Sequence, residues 1–169
     1  MTLVAGVILV QLVSRGQPET GTAGETKIKM KNEVNSNSTR IGNLSANVPD
    51  TWTGIRPSSS MRLMEFRLGV AADDATLAIF KHIGGTIDNN LERWSGQFGY
   101  SLSDSEVNIR AENINGMQVS IISILGTYTN TMAFSNATQP KPNYRLLGAI
   151  ADTPDGLYYF KLTGPNTVI

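Results

Sequence analysis

Hydrophobic and polar positions along the chain fall into three regimes. Residues 3–13 form an almost unbroken apolar run, with Gln11 its one polar member. Eleven residues fall short of the roughly 20 needed to cross a bilayer as a helix, but they fit the apolar core of a signal peptide. No Lys or Arg precedes the run, and Ser14-Arg15-Gly16-Gln17-Pro18 follows it without a small-x-small cleavage site. Residues 1–13 are therefore expected to be an apolar leader or membrane anchor whose start lies upstream of Met1, with a buried N-terminal strand as the alternative. Residues 14–40 follow as a poor core-former, rich in Gly, Thr, Glu, Asn and Ser. Such a stretch cannot bury enough apolar surface to offset its ordering entropy. It reads as a flexible polar linker, with residues 28–34 as a marginal edge strand, and residues 41–169 read as one domain.

Within that domain the periodicity changes from two to about 3.6 and back. Val48-Pro49-Asp50-Thr51-Trp52 and Pro57-Ser58-Ser59-Ser60 are turn sequences. Residues 61–68 read as a strand with Met64, Phe66, Leu68 and Arg62 on one face, and Glu65 and Arg67 on the other. Residues 76–80 return as its hairpin partner. Gly84-Gly85 breaks the pattern, and Thr86 and Asp88 suit a helix N-terminus. Ile87, Leu91, Trp94 and Phe98 recur at spacings of four, three and four. This predicts one amphipathic helix over 87–98, anchored by Trp94, with Asn89, Arg93 and Gln97 on another face. Gly96 marks either close approach to a strand or early fraying.

Two further hairpins follow. Residues 107–111 and 117–128 are predicted strands around Asn115-Gly116, a pair that accepts positive φ. Residues 144–151 and 157–162 are predicted strands around Thr153-Pro154-Asp155-Gly156. The fold class is thus α+β, an antiparallel sheet of about six strands packed against a helix. One helix covers one face. The other face requires a missing C-terminal helix or a partner, and truncation of the chain is the expected reason.

Composition narrows the function. The 169 residues carry 14 basic and 14 acidic side chains, for zero formal net charge. That argues against non-specific nucleic-acid binding, which needs excess Lys and Arg. Lys27, Lys29 and Lys31 are flanked by Glu25 and Glu33 and read as a solvated segment. The absence of cysteine removes disulfides, thiol nucleophiles and zinc–thiolate sites.

Candidate chemistry is sparse. His82 is the only histidine and sits at a predicted strand end, where a solvated or backbone-bonded ring is the ordinary outcome. Asp73-Asp74 and Asp152/Asp155 lack a calcium-loop signature. Gly84-Gly85 has too few glycines for a phosphate cradle. Nothing in the spacing of Glu65, Glu92, Asp104 and Glu106 selects an acid/base pair. The Asn-x-Ser/Thr triplets at Asn37, Asn43 and Asn136 matter only in a eukaryotic secretory context, which is not favoured. No catalytic, cofactor or metal site is expected. Trp52, Tyr144, Tyr158 and Tyr159 offer aromatic recognition surface, with Arg62, Arg67 and Arg93 as polar contacts.

Val48-Pro49-Asp50-Thr51-Trp52, Pro57-Ser58-Ser59-Ser60-Met61-Arg62, Phe66, Gly84-Gly85 and Arg93-Trp94-Ser95-Gly96-Gln97-Phe98 resemble an uncharacterised group of bacterial exported proteins and lipoproteins. The Arg-Trp-x-Gly-Gln-Phe segment is the most specific part. The order of elements is more distantly similar to the PsbP-like α/β/α sandwich, in which helices lie on both sides of an antiparallel sheet and a long C-terminal helix closes the domain. That resemblance implies a non-catalytic binding or accessory protein. Two readings are carried forward. One is an exported, periplasmic or membrane-tethered domain that binds another envelope protein. The other is a small-molecule or lipid carrier with an apolar cavity between helix and sheet, lined by Phe66, Phe80, Trp94 and Tyr128. A hydrolase built on His82 or a carboxylate is the remote third.

Overall fold

The structure, a computed structural model, describes residues 38–69, 75–129 and 139–169. The expected leader, the linker up to Asn37, the Asp73-Asp74 turn and Asn136 lie outside these residues.

Nine strands and one helix follow in the order β1 (Ser38–Ile41), β2 (Leu44–Asn47), β3 (Trp52–Ile55), β4 (Arg62–Leu68), β5 (Ala75–Lys81), α1 (Ile87–Gly96), β6 (Val107–Ile114), β7 (Met117–Tyr128), β8 (Lys141–Thr153) and β9 (Gly156–Pro165). Seven strands form one antiparallel sheet in the order β3-β4-β5-β9-β8-β7-β6, and β1-β2 is a separate hairpin. The sheet is thus two meanders, β3-β4-β5 and β6-β7-β8, joined through β9. This is the expected α+β class, a large antiparallel sheet packed against a single helix.

Two-residue alternation divides the central strands between two cores. Ile121, Leu147, Ala149, Phe160 and Leu162 point to one face, where Ile41, Leu44 and Ala46 of the hairpin pack among them. Ile122, Ile124, Leu146, Ile150 and Tyr159 point to the other, under Leu91, Trp94 and Phe98. A second helical layer is the expectation for the first face. Among the described residues that face carries the β1–β2 hairpin instead, which starts at Ser38 inside the stretch read as linker.

The hairpin is tied down by a relay across the fold. The Asn43 amide donates to the Tyr158 hydroxyl at 3.2 Å, which donates to Asp155 at 2.8 Å, which also receives Lys81 at 2.5 Å. Gly42, at φ 60°, lies so close to Tyr158 that a Cβ would collide with the hydroxyl.

Three local differences have physical causes. The sheet gains a seventh strand because β3, only four residues long, pairs along one side with β4. A register shift between Arg62 and Met64 turns Arg62 to the helix side, away from Met64, Phe66 and Leu68. An unpaired extra residue reverses which face the following side chains occupy. The helix ends at Gly96 rather than 98, although Phe98 still reaches the core. Its start is as expected: Thr86 and Asn89 form reciprocal capping bonds of 3.1 and 3.2 Å.

The glycine that permits close approach is Gly148, not Gly96, which is exposed with open space beside its Cα. A Cβ at Gly148 would stand 2.5 Å from the Trp94 ring and 2.7 Å from Ile122. Gly148→Ala is therefore expected to lose about 1–3 kcal/mol by overpacking, and Trp94→Ala about 3–5 kcal/mol by cavity formation. Urea unfolding of both variants checks this. A neutral Gly148→Ala would contradict the close docking of helix on sheet.

Candidate functional site

Beside the Trp94–Gly148 contact the helix and sheet separate, and a pocket of about 430 Å³ opens between them. Its floor is made by small or narrow residues of adjoining strands: Thr76 lies opposite Thr163, and Ala78 opposite Lys161. Gly148 flanks Lys161 on its other side. Lys161 is therefore the one long side chain among short neighbours, and its stem rises where theirs leave space.

The walls come from separate elements. Trp94, Gln97 and Arg93 project from α1, Phe80 and Ile83 stand at the end of β5, and Tyr128 and Tyr144 close the side made by β7 and β8. The two tyrosine rings stack at 6.0 Å, and Phe98 meets Tyr128 at 5.5 Å. Arg62 and Glu65, brought to one face by the β4 irregularity, complete the fourth side with an ion pair at 2.6 Å. Arg62 also lies 5.8 Å from the centre of the Phe80 ring.

Electrostatically the pocket is cationic. Arg62, Arg93, Lys141 and Lys161 line it, and Glu65 is its single carboxylate among the described residues. Burial pushes the Glu65 pKa up, but the Ser58 amide bond at 2.7 Å and Arg62 together outweigh it, leaving it below 4.5. Glu65 thus remains an anion committed to Arg62 and Ser58. Burial pushes the Lys161 ammonium down to about 7, and the charges of Arg62 and Arg93 push the same way. Its amino group donates to the Gln97 side-chain oxygen at 2.5 Å and lies 5.6 Å from the centre of the Tyr128 ring. Burial also raises the Tyr128 phenol above 10.0. The pocket can hold a ligand by hydrogen bonds, cations and ring contacts.

Of the residues singled out in the sequence, Arg62, Arg93 and Tyr144 meet around this pocket. Trp52 packs, half-buried, against the core on the opposite face. Tyr158 is wholly buried on that face with its hydroxyl engaged by Asp155, so it offers no recognition surface. Phe80, Trp94 and Tyr128 line the pocket, whereas Phe66, named with them in the sequence, points to the other face, and the lining is charged rather than wholly apolar. Lys161 is absent from the sequence candidates. Its signal is weak but present: β9 is apolar on both faces around it, and a lysine amid Tyr158, Tyr159, Phe160 and Leu162 interrupts the pattern. Arg93 and Gln97, four residues apart, flank Trp94 and both reach the pocket.

The other candidates stay apart. His82 is exposed with φ 57° at the end of β5, and Asp155 pairs with Lys81. Among the described residues no group of three or more His, Cys, Asp or Glu could hold a metal ion. None of their helices is long and apolar enough to cross a membrane.

No protein-family model and no curated protein matches the chain. The solved structures include a distant likeness, the solution structure of cyanobacterial PsbP (CyanoP) from Synechocystis sp. PCC 6803. It shows a TM-score of 0.42 and 14% identity over 70% of this chain and 72% of that one.

The Lys161 environment has a thermodynamic signature. Its folded pKa of about 7 lies below the ordinary 10.5, so between these values the unfolded chain binds the extra proton and stability rises with pH. Urea unfolding across that window is expected to show this rise. Lys161→Met is expected to abolish it and to gain roughly 1–3 kcal/mol near the lower end. An unchanged slope in the variant would assign the effect to another group.

Proposed function

We propose that this chain is a non-catalytic binding domain of the cell envelope, with its ligand site in the pocket between α1 and the sheet. The observation that carries this reading is the pocket itself, a concavity of about 430 Å³ with aromatic walls and a few converging polar side chains. That size and lining are typical of small-molecule sites. General acid–base work needs a group free to exchange a proton with substrate. Here the one lining carboxylate among the described residues is held by Arg62 and Ser58, the Lys161 amine is engaged by Gln97, and His82, exposed between Phe80 and Ile83, is not among the lining side chains. The envelope assignment rests on the apolar run at residues 3–13 and the polar stretch after it.

A second reading, an accessory domain that docks on another envelope protein, is favoured by one feature. Met61 and Leu63 are 62% and 44% exposed on either side of Arg62, and Met61 lines the pocket. Exposed large apolar side chains beside a cleft are common in protein-binding surfaces.

Native mass spectrometry of the full chain, purified from its own host, separates the two. The carrier reading expects a stoichiometric small-molecule adduct that is lost on filling the floor with Ala78→Leu. Bare protein that captures an envelope protein through a surface sensitive to Met61→Asp and Leu63→Asp would overturn it in favour of docking.

A further inference from the structure

The pocket contains an imbalance that its own side chains do not correct. Glu65 is matched to Arg62 at 2.6 Å, which leaves Arg93, Lys141 and Lys161 without a lining carboxylate among the described residues. Arg93 donates to Asn90 at 2.5 Å, and Lys141 lies over the Tyr144 ring at 5.3 Å. Among the described residues no carboxylate pairs with Lys161; its partners are the Gln97 oxygen and the Tyr128 ring. A half-buried amine with only a neutral amide and a ring as partners is poorly compensated.

We infer that the occupant of this pocket is a free organic acid, its anionic group seated between Arg62, Arg93 and the Lys161 amine and its ring-sized body against Trp94, Phe80 and Tyr128. This identification rests on the pocket being the ligand site. The anion supplies the counter-charge that the lining lacks, and the aromatic walls supply an apolar surface for the body. The volume suits one or two rings and does not suit the paired acyl chains of a phospholipid.

Occupation is coupled to a proton. The charged and titratable groups facing Lys161 are Arg62 and Glu65 from β4, Arg93 from α1, Tyr128 from β7, Lys141 and Tyr144 from β8, and Tyr159 on its own strand; β5 contributes none. With cations in the majority, the empty pocket favours the neutral amine near and above pH 7. A bound anion reverses that preference and draws a proton onto Lys161. Affinity for an organic acid therefore falls as pH rises through this region.

The test uses two fluorescent probes with similar aromatic bodies, 1-anilinonaphthalene-8-sulfonate and the uncharged N-phenyl-1-naphthylamine, titrated into the full chain. Expected are one displaceable sulfonate site, at least tenfold weaker binding of the neutral probe, and competition by 1-naphthoate. Sulfonate affinity should decline with pH in the natural protein and flatten in Lys161→Met. Arg93→Gln, an exposed substitution, should weaken the sulfonate probe and spare the neutral one. Equal binding of both probes at the pocket would overturn the organic-acid assignment while leaving the pocket as the ligand site. Displacement by phosphatidylglycerol vesicles but not by naphthoate would overturn it in favour of a lipid headgroup. Failure of both probes, together with bare protein in native mass spectrometry, would remove the pocket reading itself.

Discussion

The seating of the Trp94 ring on the bare backbone of Gly148 is the contact on which the rest of the helix side depends. It sets how near α1 comes to the sheet, because any side chain at Gly148 would lift the helix. With that height fixed, the strip of Thr76, Ala78 and Thr163 is too short to fill the space beside the contact, and a pocket results. The same seating places Arg93 and Gln97 over the floor. The helix packing and the pocket therefore share one origin: a large ring meets a missing side chain, and small residues lie next to it.

The two faces of the sheet solve different problems. The hairpin face is sealed by aliphatic side chains and by the Asn43–Tyr158–Asp155–Lys81 relay, whose polar groups satisfy one another. The helix face is left incompletely filled, and its half-buried amine has no carboxylate partner among the described residues. Polar groups in a structural core are ordinarily matched among themselves. The contrast between a closed network and an open one distinguishes the side that holds the fold together from the side that can accept something.

Helix α1 was legible because its apolar stripe, its Thr86 cap and the preceding glycines all indicate the same boundary. The long hairpins were legible from alternation and from Asn115-Gly116, both at positive φ. Strand β3 was not, because four residues that include Gly54 carry too little pattern and gain their pairing only from β4. Arg62 was assigned to the wrong face because a register shift leaves no mark in the alternation it disrupts. Lys161 was missed for a related reason. A strand buried on both faces has no polar phase against which an inward lysine stands out. Arg62, Arg93 and Tyr144 were named as recognition residues, but their convergence is a product of register and helix docking, and neither is written locally.

The place of β9 also governs how the chain reaches this state. Strand β9 lies at the centre of the sheet, with β5 on one side and β8 on the other. Until it arrives, the first meander has an open hydrogen-bonding edge at β5, and the hairpin lacks the tyrosine that anchors it 115 positions later in the chain. Closure over such sequence distances is slow compared with local pairing. During synthesis the described domain thus remains an incomplete pair of half-sheets until β9 is free of the ribosome.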